Sequence, residues 1–391
     1  MLMVSCALSS CACGAATGLI AEVSYDGATD GPIPDAAIDS TPDSVADTRV
    51  DAGTDASDAG HDTGTDSAKS CNEAGLITLA SDLQEYPLAI AVDRQSVYWT
   101  NTGSPPTNDG SVMKVPICGG TVTTLASHRG QPQNVIVDAT SVYWFELFSG
   151  TSGSGPAVVV NAPLNGGALF TLASVPEPSA PCGLAVSPTS VYWATVYNGN
   201  INPSPISLMK VPIEGGTPTT LMSEAFAGAG GGTPCGVAVD ASSVYWTTAQ
   251  SILKVPLDGG TATTLVSLDA ISTPAAVALG SGSLYWTTAG GGLTPSLVMK
   301  IPLGGGVPMT VATSPDTLGG IAVDDSSVYW TDQTVVLSAP VGGGPARMIA
   351  TTYNGASGIA VDGTSVYWAD ALGGNARLTT NDGSIQRFTP K

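Results

Sequence analysis

One dipeptide constrains this chain more than any other feature in it. Tyr-Trp occurs seven times, as Tyr98-Trp99, Tyr143-Trp144, Tyr192-Trp193, Tyr245-Trp246, Tyr285-Trp286, Tyr329-Trp330 and Tyr367-Trp368, and these copies hold all seven tryptophans. Successive copies are 45, 49, 53, 40, 44 and 38 residues apart, and a period near 45 belongs to propeller blades or comparable repeat units. Each copy follows a run such as "AIAVD" or "GIAVD", and is followed by one such as "SVMKVPICGG" or "SILKVPLDGG" and then "TVTTLAS" or "TATTLVS". Four short runs rich in β-branched residues, separated by Gly, Pro, Asp and Ser, predict a four-stranded antiparallel meander. Composition agrees, because 48 glycines, 28 prolines and 11% charged residues do not suit a helical protein.

The seventh unit supplies three strands, whereas "GLITLAS" at 75–81 matches the fourth-strand run and stands ahead of the first unit. The expectation for 71–391 is therefore an all-β, seven-bladed β-propeller of four-stranded antiparallel blades, closed by its N-terminal strand. Blades stand face to face, so their middle strands are covered on both sides, and adjacent residues of a strand point to opposite faces. Each Tyr-Trp pair should send one ring into each neighbouring interface, where a ring buries on the order of 200 Å².

The words "YWTD" at 329–332, "YWAD" at 367–370 and "YWTN" at 98–101, each behind an "AVD" run, resemble the YWTD propellers of the low-density-lipoprotein receptor family. The resemblance covers 75–391, although that family has six blades and seven units are counted here. It implies a structural module that binds proteins without catalysis, in which Asp332 and Asp370 bond within and between blades.

Residues 22–70 carry Glu22 and eleven aspartates against Arg49 and Lys69, among Ala, Gly, Ser, Thr and Pro. Such a stretch cannot bury enough surface to offset the entropy of ordering, and is read as a disordered acidic tether. Its aspartate spacing of about four does not match a calcium loop. Ahead of it, 1–21 is apolar and uncharged, and "LSSC" at Leu8 to Cys11 resembles a bacterial lipobox, which implies lipidation at Cys11. Cys6, Cys13 or an ordinary cleaved secretory signal are the alternatives. The expected location is the cell envelope, as an outer-membrane lipoprotein held to the membrane only by its lipid, or the extracellular space. Cys182 and Cys235 stand in equivalent "PCG" words, and Cys71 and Cys118 flank the closing strand and the first blade's rim. A disulfide across either pair suits an oxidising compartment, with free thiols as the alternative.

A net charge of −20 excludes nucleic-acid binding through a basic patch. The two histidines, His61 and His128, supply neither a His-based triad nor a multi-histidine metal site, so no metal or cofactor is expected. Asp93, Asp138, Asp240, Asp324 and Asp362 read as turn residues, and Lys114, Lys210, Lys254 and Lys300 as a solvated rim or inter-blade pairs. The connections from second to third strand and from blade to blade are irregular, and Tyr86, Phe145, Phe148, Tyr197, Phe226 and Tyr353 fall on them. Aromatics on variable loops over a rigid scaffold predict a ligand-binding face for a protein or polysaccharide; the alternative is that they cap the blades' apolar ends. The expected function is a monomeric, non-catalytic binding or scaffold module. The alternative is a propeller enzyme, a metal-dependent hydrolase or lyase using acidic residues at the channel mouth.

Overall fold

Seven blades account for every regular element of the described residues, all of which are strands. The computed structural model describes residues 73–391 except 84–85, 104–108, 149–154, 176, 198–203, 227–234, 249–250, 269–273, 289, 291–293, 353–354 and 371–382. Residues 1–70, where the signal region and the acidic tether are expected, and Cys71 lie outside them.

The chain opens with β1 (Gly75–Leu83). Blade 1 is β2 (Pro87–Val92), β3 (Ser96–Asn101), β4 (Gly110–Pro116) and the first half of β5 (Thr123–Val137). Blade 2 is the second half of β5 with β6 (Ser141–Phe148), β7 (Val158–Pro163) and β8 (Phe170–Ser174). Blade 3 is β9 (Ser179–Val186), β10 (Ser190–Tyr197), β11 (Ser204–Pro212) and β12 (Thr219–Phe226). Blade 4 is β13 (Val237–Val239), β14 (Ser243–Thr247), β15 (Ser251–Pro256) and β16 (Thr263–Ser267). Blade 5 is β17 (Pro274–Gly280), β18 (Ser283–Thr288), β19 (Ser296–Pro302) and β20 (Met309–Ser314). Blade 6 is β21 (Ile321–Val323), β22 (Ser327–Thr331), β23 (Val335–Pro340) and β24 (Arg347–Thr351). Blade 7 is β25 (Ala356–Val361), β26 (Val366–Asp370) and β27 (Gly383–Thr389), completed by β1, which pairs antiparallel with β27 from Gly75↔Thr389 to Leu83↔Gly383.

The first strands form the inner wall. In chain order β2, β5, β9, β13, β17, β21 and β25 each touch the next, and β25 touches β2. The ring is thus closed twice, by strand pairing in blade 7 and by contact of its inner strands.

Every tryptophan of the seven pairs is at most 1% exposed. The core divides into seven clusters, each between two blades and each holding the tyrosine of one and the tryptophan of the next: Tyr98 with Trp144, Tyr143 with Trp193, Tyr192 with Trp246, Tyr245 with Trp286, Tyr285 with Trp330, Tyr329 with Trp368, and Tyr367 with Trp99. The dipeptide therefore joins wedges, one ring on each side. The threonine after it has its own task. The ladder between first and second strands slips near Ala89 and again between Pro274 and Val277, and such bulges leave amides unpaired. The hydroxyls of Thr100, Thr247, Thr287 and Thr331 accept the amides of Ala89, Gly236, Ala276 and Gly320 at 3.4, 2.8, 3.2 and 2.9 Å.

The turns between first and second and between third and fourth strands emerge on one side and repeat closely. The latter close at Gly119, Gly166, Gly215, Gly259, Gly305 and Gly343, whose amides donate to the proline ending the third strand at 2.8–2.9 Å. Each of these glycines has φ between +80° and +89°, and the glycine after it between +119° and +150°, a region other residues seldom enter. That is why "GG" recurs there.

Candidate binding face

On the regular side the recurrent aspartates and lysines are bound into the ring. Asp93, Asp138, Asp240, Asp324 and Asp362 each accept turn amides two and three residues on through Oδ1, at 2.6–2.8 Å. Turn chemistry is half of their role. Oδ2 of each accepts the hydroxyl of the Tyr-Trp tyrosine five residues on, at 2.7–2.9 Å for Tyr98, Tyr143, Tyr245, Tyr329 and Tyr367. Burial alone would raise the carboxyls of Asp138, Asp240 and Asp362, but the turn amides and the tyrosine hydroxyl outweigh it and hold them below their ordinary value. At Asp324 burial is outweighed by Lys391 together with the turn amides. Burial, then the carboxylate, pushes the partner tyrosines up, Tyr329 to about 12.

The repeated lysines are inter-blade links. Lys114, Lys210, Lys254 and Lys300 donate to the carbonyls of Leu164, Leu257, Leu303 and Val341 in the next blade at 2.7, 3.0, 3.2 and 2.6 Å, and Arg387 of blade 7 donates to Ile117 of blade 1 at 2.7 Å. Blade 6 has Ser338 at this position. There the link runs backwards: Lys391 of blade 7 reaches Asp324 at 2.5 Å and lies 5.6 Å from the Tyr329 ring centroid, much as Lys210 and Lys254 lie over Tyr192 and Tyr245 at 5.8 and 5.5 Å.

The opposite side holds the irregular connections. Tyr86 is 38% exposed there, and its carbonyl accepts the Thr102 amide at 3.0 Å. Phe148 ends β6 half-buried. Phe145 does not belong to the face: it is fully buried in the cluster between blades 2 and 3, with Tyr143 and Trp193. It takes the third motif position, where Thr100 and Ala194 stand in other blades, and β6 runs on through Phe148 before any loop begins. Tyr197 ends β10 opposite Ser179 and Phe226 ends β12 opposite Ser204; the structure describes their backbone alone. Tyr353 lies outside the described residues. Cys182 in β9 and Cys235, two residues ahead of β13, are joined by a disulfide between blades 3 and 4, with Cα atoms 5.2 Å apart. Cys118 is also disulfide-bonded. Blades 3 and 4 approach so closely here that a Cβ on Gly183, at φ +57°, would lie 1.9 Å from the Cys235 carbonyl oxygen.

The junction of blades 1 and 2 brings together residues that sequence reasoning passed over. The other five blades are separate four-stranded sheets, but β5 runs without a break from the outer edge of blade 1 to the inner edge of blade 2, making one seven-stranded sheet. It does so through left-handed conformations at His128 (φ 57°), Gln131 (54°) and Asn134 (45°), unusual for residues other than glycine. Arg129 donates through Nε and Nη2 to Glu146 at 2.7 Å each, and the Trp144 indole donates to Glu146 at 3.0 Å. The Glu146 side chain is 2% exposed and that of Arg129 27%. The other six indole nitrogens have no acceptor among the described residues. Two signals for this corner were legible: "YWFE" puts a glutamate where other units have Asp, Asn or Thr, and "SHRGQPQN" is a short spacer between the fourth strand of one unit and the first of the next.

Among the described residues no group of three His, Cys, Asp or Glu side chains could hold a metal ion. Solved propellers resemble the chain at low identity. They include an enzyme of glycoside hydrolase family 74 from Niastella koreensis (TM-score 0.58, 16% identity, covering 76% of this chain and 53% of that one) and an oligogalacturonate lyase from Vibrio parahaemolyticus (0.57, 9%, 81% and 98%). A nidogen/laminin complex also matches (0.43, 19%, 59% and 80%). The likeness is one of fold. No protein-family model matches the chain, and no curated protein does.

Proposed function

We propose that the chain is a YWTD-type propeller acting as a non-catalytic binding or scaffold module. It is exported to the cell envelope, held there by a lipid on Cys11 and an acidic tether, and presents its irregular side to a protein or polysaccharide. The observation that carries the reading is the division of labour between the two sides. The recurrent aspartates and lysines of the regular side are committed to turns, tyrosines and neighbouring blades, so that side reads as scaffold. The irregular side carries an exposed aromatic, Tyr86, and the half-buried Phe148, and binding residues concentrate on such loops above rigid frames.

The competing reading is an acidic-site hydrolase or lyase. Binding to isolated envelope polysaccharide, measured with and without EDTA, together with turnover of small esters, lactones and glycans, separates the two. The binding module holds its ligand in EDTA and turns nothing over; EDTA-sensitive turnover sinks it. Phe148→Ala and Tyr197→Ala should each weaken binding while the melting temperature stays within a few degrees. Loss of stability with affinity intact would make these rings caps. Fatty-acid labelling of the exported protein should disappear in Cys11→Ala.

A further inference from the structure

We infer that the seam between blades 2 and 3, on the regular side, is a site for a primary ammonium group taken from solution. Such a site goes beyond the proposed function and does not depend on what the irregular side binds. The seven seams differ at one register position. The third-strand residue opposite the tyrosine of the Tyr-Trp pair is Lys114, Lys210, Lys254 or Lys300 in blades 1, 3, 4 and 5, and Arg387 in blade 7. Each of these cations bonds the carbonyl of the residue that follows the third strand of the next blade. Blade 6 has Ser338 opposite Tyr329, and Lys391 supplies the cation of that seam from its far side. Blade 2 has Asn161 opposite Tyr143. Among the described residues no Lys or Arg is paired with the two carboxylates of this seam, Asp138 and Glu214.

The acceptors of this seam match those that hold a lysine elsewhere. At the next seam Lys210 donates to the Leu257 carbonyl at 3.0 Å and to Asp258 Oδ1 at 2.7 Å. Ile213 and Glu214 are the corresponding residues of blade 3, and Ile213 packs in the same cluster as Tyr143. From blade 2 comes Asp138, whose Oδ2 takes the Tyr143 hydroxyl as Asp324 Oδ2 takes that of Tyr329 beside Lys391. Blade 2 also brings Asn161, whose Oδ1 is buried and has no donor among the described residues. A buried acceptor without a donor is costly. Asparagine ends two atoms short of a lysine nitrogen, close to the span of one N–H···O hydrogen bond of about 2.9 Å, so an ammonium bonded to Oδ1 falls where the other blades place Nζ. An ammonium has three donors and no acceptor, which suits a set of oxygen acceptors. The corresponding contacts of Lys114, Lys254 and Lys300 run from 2.6 to 3.2 Å, longer than the calcium–oxygen range of about 2.3–2.6 Å. A chain of net charge −20 draws cations toward such a place. Glu214 is exposed, and Asp138 and Asn161 are half-buried, so a ligand can enter from solvent.

The test uses the full chain, with melting temperature read against added methylammonium chloride and, in a second arm, acetyl-lysine methylamide. Tetramethylammonium chloride, which has the charge but no N–H donor, is the control for ionic strength. Methylammonium should raise the melting temperature by about 1–3 °C and saturate at concentrations on the order of millimolar, and tetramethylammonium should not. Saturation in both arms supports a site that admits a lysine of another protein; saturation with methylammonium alone supports one that takes free amines. Asn161→Lys should supply the cation from the chain itself, raise the melting temperature without any amine and abolish the response. Glu214→Gln, at an exposed residue, should weaken the response several-fold. Equal effects of methylammonium and tetramethylammonium, or a methylammonium response unchanged in both variants, overturn the site. Stabilisation by calcium or potassium chloride with none by methylammonium overturns the ligand class. Each of these results leaves the binding-module reading of the irregular side standing.

Discussion

Asp240 and Ser187 occupy the same place in neighbouring blades and show what one side chain contributes. Asp240 spans from the turn amides to the Tyr245 hydroxyl at 2.8 Å, whereas Ser187 reaches the amides of Thr189 and Ser190 and falls short of Tyr192, whose hydroxyl is buried without a partner. The same substitution should therefore act differently in the two blades. Tyr245→Phe strands a carboxylate and should cost about 1–2 kcal/mol, the worth of a hydrogen bond to a charged group allowing for its partial exposure. Tyr192→Phe removes an unmet donor and should be neutral or stabilising. Denaturant unfolding of the two variants compares them directly, and equal losses would remove the Asp–Tyr bond from the account.

At the scale of the element, β1 and β5 depart from a plain array of repeats. β1 lies far from blade 7 in the chain but supplies its outer strand, burying Leu79 and Ala80 with Trp99, Tyr367 and Ile385. Without it β27 would be an open edge and that cluster would lose part of its cover. Removal of 1–70 should leave the melting temperature unchanged, while removal through Leu83 should lower it by many degrees or abolish folding. Equal behaviour of the two truncations would contradict closure by β1. β5 shows the reverse economy, one strand serving two blades, and its left-handed residues are what the bend between two inclined sheets requires.

At the scale of the whole molecule, the repeated Asp–Tyr bonds make stability depend on pH from both ends. Asp138, Asp240, Asp324 and Asp362 have depressed carboxyls in the fold, so their stabilisation is complete above the unfolded value of about 3.9 and is lost as pH falls through the folded values. Tyr98, Tyr143, Tyr245, Tyr329 and Tyr367 are raised, so theirs is complete below the unfolded value of about 10 and is lost as pH rises through the folded values, about 12 for Tyr329. Melting temperature against pH should show a plateau across neutrality that falls on both sides, and Tyr245→Phe should soften both limbs. A midpoint of loss near neutrality would point to other groups. Continuity of the ring likewise rests on small links repeated around it, with Lys391 replacing in reverse the lysine that blade 6 lacks.

Architecture was legible in the sequence because its signal is periodic. Seven Tyr-Trp pairs, the run before each and the two after it name four strands per unit, and "GLITLAS" is recognisable as the missing fourth strand by its likeness to "TVTTLAS". Such periodicity follows from backbone geometry alone: alternate residues face opposite ways, and "GG" marks positive φ. What tertiary structure decided was which side chains meet. That Asp240 bonds Tyr245 depends on the turn folding the carboxylate back over its own second strand, and that Lys114 bonds Leu164 depends on the angle between two blades. Phe145 and Phe148 look alike in "YWFELF", yet one is fully buried in a blade interface and the other ends the strand half-buried, because strand alternation and the length of β6 place them. The corner at Arg129 and Glu146 came from no repeat at all. It exists because β5 crosses between blades as one strand, a relation between distant residues that a one-dimensional pattern does not encode.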